Sequence, residues 1–92
     1  MKHASARTLD ALPALLQQLR LFSSLRERKP GAFYRGSSAF LHFHEDPAGL
    51  FVDVKLDHSG FTRLPIDTPI DQAALVAAVA RALCPPKVEA AP

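Results

Sequence analysis

AFYRGSSAFLHFHEDPAGLFVDVKLDHSGFTRLPI, residues 32–66, is the stretch whose reading decides the fold. Its apolar residues recur at every second position, the period of a strand with one buried face. Three turn signals divide it. Arg35-Gly36-Ser37-Ser38 suits a two-residue hairpin turn, because Gly36 reaches positive φ without steric cost. Asp46-Pro47-Ala48-Gly49 places proline at the second and glycine at the fourth position of a type I turn, with Asp46 set to bond its own turn backbone. His58-Ser59-Gly60 suits a three-residue loop. Four strands are expected, at 32–35, 38–45, 50–57 and 61–66.

These turns imply registers. The first pairs Phe33 with Phe40 and Tyr34 with Ala39. The second pairs His44 with Phe51, Phe43 with Val52, His42 with Asp53 and Leu41 with Val54. The third pairs Asp57 with Phe61, Lys55 with Arg63 and Val54 with Leu64. A slip of one residue would mix polar and apolar side chains on both faces. In these registers one face collects Ala39, Leu41, Phe43, Val52, Val54, Leu56, Leu64 and Ile66, and Tyr34 falls on the same side. That is the expected core face. Pro65 would fall opposite Asp53, so pairing is expected to end near Leu64.

Outside the strands the period changes. Leu12, Leu15, Leu16, Leu19, Phe22 and Leu25 are spaced for one helix over 10–28, with Asp10 as N-cap, Pro13 in the first turn and Pro30-Gly31 as its stop. Thr68-Pro69-Ile70-Asp71 opens a second helix with a capping-box variant, and Cys84-Pro85-Pro86 closes it. The expected fold is α+β, in the order α-β-β-β-β-α: a four-stranded antiparallel meander with two helices packed on one face. Residues 10–84 make one domain between a flexible N-terminus (1–9) and a flexible C-terminal tail (85–92).

Composition agrees with one small globular domain: 92 residues, 48% hydrophobic, 22% charged, net charge +2. No run approaches the roughly eighteen apolar residues of a membrane span. The first residues carry positive charge with no apolar segment behind them, which argues against secretion. Cys84 is the one cysteine. It has no internal disulfide partner, which suits a reducing cytoplasm, and its place at a helix C-terminus makes it a poor nucleophile.

Function is expected on the other face of the sheet. In the registers above it shows Phe33, Arg35, Phe40, His42, His44, Phe51, Lys55, Phe61 and Arg63, together with Asp53 and Asp57. Four of the six phenylalanines opposite the helices form a candidate apolar patch. The leading reading is a non-enzymatic interaction module that self-associates as a homo-oligomer or binds a protein partner through these rings. The alternative is single-stranded nucleic acid or DNA, with rings stacking on bases and Arg35, Lys55 and Arg63 meeting phosphates. A merely solvated face is the plain reading. The basic run from Arg20 to Arg35 (Arg20, Arg26, Arg28, Lys29, Arg35 against Glu27) is explained by helix-end cations.

His42 and His44, two apart on a strand, project from one face, and Asp53 lies opposite His42. This makes a His-His-carboxylate metal set conceivable, as a second alternative. No third histidine has evident reach, since His58 sits in a distant turn. The plainer account pairs His42 with Asp53 and packs His44 on Phe51. No phosphate loop, nucleophile elbow or dinucleotide fingerprint occurs, and no cofactor or catalytic residue is expected.

Phe33-Tyr34-Arg35-Gly36 followed by Ala39 to Leu50 (AFLHFHEDPAGL) resembles a stretch of a family of small bacterial proteins, a likeness that implies no particular activity. Lys29-Pro30, the Phe33 strand and the Ala39-Phe40-Leu41 strand are also similar to MmcQ/YjbR-like proteins. That second likeness covers about a third of the chain and implies DNA binding through hairpins, with no catalytic residue carried over.

Overall fold

The computed structural model describes residues 2–83, and the expectations for Cys84 and the tail lie outside them. The chain runs β1 (Lys2–His3), α1 (Ala6–Asp10), α2 (Pro13–Arg20), β2 (Arg26–Lys29), β3 (Ala32–Arg35), β4 (Ser38–Asp46), β5 (Gly49–Asp57), β6 (Gly60–Pro65) and α3 (Pro69–Leu83). The class is α+β with an antiparallel sheet, but the sheet has six strands rather than four. Its order is β2-β3-β4-β5-β6, with β1 pairing β4 beyond the end of β3. No described helix is long and apolar enough to cross a membrane.

The expected helix over 10–28 is replaced by a shorter helix, α2, and a strand, β2. Leu12, Leu15, Leu16 and Leu19 do form the buried stripe, and Phe22 and Leu25 pack against it half-buried. The helix nevertheless ends at Arg20. Past Ser23-Ser24 the charged run Arg26–Lys29 becomes strand β2, paired with β3. Pro30-Gly31 is therefore a hairpin turn and not a helix stop. Gly31 has φ +75°, the value that the third residue of a type II turn needs after proline. Asp10 ends α1 rather than capping α2, whose N-cap is Leu12. Residues 2–9, expected to be flexible, form β1 and most of α1. Glu45 ties them down by accepting hydrogen bonds from the Ser5 N–H (2.8 Å) and the Thr8 hydroxyl (2.6 Å).

The β4–β5 register is the expected one: Leu41↔Val54, His42↔Asp53, Phe43↔Val52 and His44↔Phe51. Asp46 accepts the Ala48 N–H at 3.0 Å, the expected Asx bond. Thr68 and Asp71 cap α3 reciprocally, the Asp71 N–H donating to the Thr68 hydroxyl at 3.0 Å and the Thr68 N–H to the Asp71 carboxylate at 3.3 Å.

The other two hairpins differ from expectation. Between β3 and β4, Arg35↔Ser38 and Tyr34↔Ala39 pair as expected, but Phe33 then pairs with Leu41. Phe40 is the extra residue of a bulge. The bulge has a clear driving force: it turns Phe33 (1% exposed) and Phe40 (3%) into the core, and burying such a ring is worth about 1.5–3 kcal/mol. It also moves Tyr34 and Ala39 away from the core face. Between β5 and β6 the loop has two residues, His58-Ser59, and Asp57 pairs with Gly60. The ladder then shifts so that Val54 meets Thr62, Asp53 meets Arg63 and Phe51 meets Pro65. Pro65 thus lies at the end of the ladder rather than opposite Asp53.

One core results. It joins Leu9 and the α2 leucines to Phe33, Phe40, Leu41, Phe43, Val52, Val54 and Ile66 of the sheet side and to Leu75, Val79 and Leu83 of α3. Helix α3 lies on β5 and β6 and against α2. Among the described residues, no helix lies on the opposite face of the sheet.

Candidate functional site

Alternation along the strands decides which side chains reach the open face. From β4 come His42 and His44, from β5 Phe51, Asp53 and Lys55, and from β6 Phe61 and Arg63. The bulge adds Tyr34 of β3, and the β2–β3 register adds Arg26 opposite it. Arg28 lies over the Tyr34 ring, its guanidinium carbon 4.9 Å from the centroid. Lys55 does the same to Phe61 at 5.3 Å. Each end of the face is therefore a ring with a cation on it.

Several expected members stand elsewhere. Phe33 and Phe40 are core residues, so the apolar patch is halved to Phe51, which is half-buried, and Phe61, which is 45% exposed. Arg35 alternates away from Tyr34 and stands exposed at the β3–β4 turn. Arg63 faces Asp53 rather than Lys55. Tyr34, Arg26 and Arg28 belong to the face although the sequence reading put Tyr34 in the core and both arginines at a helix end.

The centre of the face is a group of three histidines. Strand β1 runs antiparallel to β4 with His3 opposite His44, so His3 joins the two β4 histidines on one side of the sheet. Ring centroids are 4.8 Å apart for His3–His44, 5.0 Å for His42–His44 and 5.6 Å for His3–His42. His42 Nδ1 and His44 Nε2 share a hydrogen bond of 2.9 Å. The three side chains each bring a ring nitrogen within 4.8 Å of the others. On its other flank His42 meets Phe61, centroids 5.0 Å apart.

Asp53 anchors this centre. Arg63 donates to both of its oxygens, at 2.8 and 3.0 Å, the bidentate geometry that fixes a carboxylate in orientation. Oδ2 lies 3.2 Å from His44 Nε2. The pairing read from sequence, His42 with Asp53, is right as a register, but the carboxylate contacts the diagonal neighbour. The Arg63 hydrogen bonds hold the Asp53 carboxyl below the usual range for an aspartate. His42 is also shifted down: burial disfavours its cation, the His44 and His3 rings oppose it further, and only Asp53 favours it. His44 Nδ1 is buried and has no hydrogen-bond partner among the described residues.

The sequence reading missed His3. Lys2-His3-Ala4 has no alternating pattern to announce a strand, and a two-residue strand leaves no periodic trace. A cavity of about 400 Å³ opens between the ends of β1 and β3, bordered by His3, Lys29, Gly31, Tyr34 and His42. No family model, curated protein or solved structure matches the chain.

Proposed function

We propose that the protein is a non-enzymatic binding module that works through the open face of its sheet, and that its ligand there is single-stranded nucleic acid. The observation that carries this reading is the pair of rings bearing cations, Tyr34 with Arg28 and Phe61 with Lys55, at the two ends of one uncovered face. Bases stack on aromatic side chains and on guanidinium planes, and neighbouring cations meet the phosphates. The charges of the face favour an anionic ligand. Arg26, Arg28, Lys55 and Arg63 stand on it against two acids, Asp53 and Asp46. The DNA binding implied by the MmcQ/YjbR likeness is of the same chemical class.

The self-association reading rests on less. Its apolar patch has lost Phe33 and Phe40, and stacking two copies face to face would bring like charges together, which costs several kcal/mol. What still favours a protein partner on this face is Phe61, a large exposed ring, with half-buried Phe51.

The test is fluorescence anisotropy with a labelled oligo-dT. If Arg26, Arg28 and Lys55 each meet a phosphate, the salt slope for a single strand is about −2, so affinity falls about 20-fold between 50 and 200 mM salt. Arg28→Ala and Lys55→Ala should each weaken binding and reduce that slope. No binding at 20 mM salt refutes the reading. A dimer by light scattering that Phe61→Asp converts to a folded monomer would replace it with the protein-interface reading.

A further inference from the structure

We propose that His3, His42 and His44 form a binding site for one divalent transition-metal ion of the zinc type, closed by the N-terminal strand over the middle of the sheet. The site rests on geometry independent of the nucleic-acid reading, and either can fail without the other.

Backbone pairing brings the three imidazoles together. Two of them alternate onto one face of β4, and the β1 register sets the third beside His44. For Zn–N bonds of about 2.0–2.1 Å, two ligands of a tetrahedral ion stand about 3.3 Å apart. His42 Nδ1 and His44 Nε2, at 2.9 Å, are already near that edge. The donor atoms of all three lie within 4.8 Å, so closing the site asks about 1.5 Å of movement at most. His3 can supply it. It is exposed, on a strand of two residues, while His42 and His44 are held in the middle of the sheet.

His44 is 11% exposed at its side chain, yet its Nδ1 has no partner among the described residues. Leaving a buried polar atom unmatched is destabilising. The ring is therefore oriented by what Nε2 faces: His42 Nδ1 on one side and Asp53 Oδ2 on the other. The carboxylate thus lies beside the nitrogen that would bind the ion, where it is a fixed negative charge next to the cation. Both oxygens of Asp53 are engaged by Arg63, so Asp53 stays outside the ligand set and the fourth coordination position is left to water or a ligand. Three imidazoles without a thiolate suit zinc or cobalt, and magnesium and calcium prefer oxygen donors.

The experiment uses the full chain without a histidine tag, treated with chelator and titrated with zinc chloride by calorimetry. Histidine ring resonances are followed in parallel. Zinc is used rather than copper or nickel, because those two favour square-planar nitrogen sites. The expected result is saturable one-to-one binding that shifts the ring signals of His3, His42 and His44 and leaves those of His58 unchanged. His3→Gln should weaken zinc at least tenfold and His58→Gln should not. His3 is exposed, so its variant tests the site even where His42→Gln or His44→Gln fails to fold. Absence of saturable binding, or equal affinity of His3→Gln and the parent chain, overturns the proposal.

Discussion

Replacing Phe33 by leucine separates the two possible sides of the sheet on which this ring could stand. Phe33 is 1% exposed, so Phe33→Leu removes three carbons from a packed site. At about 0.8 kcal/mol per buried methylene, this costs about 2 kcal/mol, more if the space stays open. The matched control is Phe61→Leu. Phe61 is 45% exposed, on the opposite face, and a change there stays within about 0.5–1 kcal/mol. Urea unfolding followed by circular dichroism reads both. With an m-value of about 1 kcal/mol per molar, the Phe33 variant should lose about 2 M from its midpoint and the Phe61 variant less than about 1 M, at unchanged m. Equal shifts, or a larger shift for Phe61→Leu, would place both rings on one face. That result would refute the bulge at Phe40 and with it the composition of the open face.

Other outcomes follow from the same structure. Gly31→Ala puts a side chain at φ +75° and its Cβ 2.9 Å from Leu9 Cδ2, so it should destabilise by at least about 1–2 kcal/mol in the same urea assay. The Glu45 carboxyl is lowered to about 2, first by the Thr8 hydroxyl and then by the Ser5 N–H. A depressed carboxyl stabilises the fold above its ordinary range, and that contribution is lost as pH falls toward 2. Glu45→Gln should therefore be less stable than the parent at pH 7, with the difference closing between about pH 4.5 and 2. Asp53 is the group that raises the His42 pKa against burial and its two histidine neighbours. Asp53→Asn should lower it further, as read by an NMR pH titration of the His42 ring.

The strands from Ala32 to Pro65 were legible because two physical signals agreed there, a period of two and turn residues at its breaks. The β4–β5 register, and with it the placing of His42, His44, Asp53 and Lys55 on one face, followed directly. Strand β2 was not legible. Arg26-Glu27-Arg28-Lys29 has no apolar alternation, and Pro30-Gly31 serves a helix stop as readily as a type II turn. Its pairing is visible only with β3 in place, where Glu27 accepts the Gly31 N–H at 3.0 Å and meets Arg20 at 2.6 Å. The Phe33 and Phe40 error has a different origin. Strict alternation assumes an unbroken ladder, and here burial of two rings outweighs the ladder bonds that a bulge gives up. For the open face, this removed two phenylalanines and added Tyr34. Arg28 and His3 came from segments whose strand character depends on pairing with β3 and β4, not on their own pattern.

Strand β1 shares the same side of β4 with β3, each covering part of its length. It is an arm on the N-terminal side of α1, held by two paired residues, the Ala4 N–H to Phe43 carbonyl bond and the carboxylate of Glu45. The core leucines begin only at Leu9, so the arm can peel away while the rest of the domain stays folded. Amide hydrogen exchange should therefore show two regimes in one small protein. Ala4 and Ser5 would trade their protons through opening of the arm alone, whereas the central amides of β4 and β5 would wait for global unfolding. Anything that grips His3 from the β4 side would move the first class toward the second, making the exchange rate of a single alanine a gauge of whether the arm is docked.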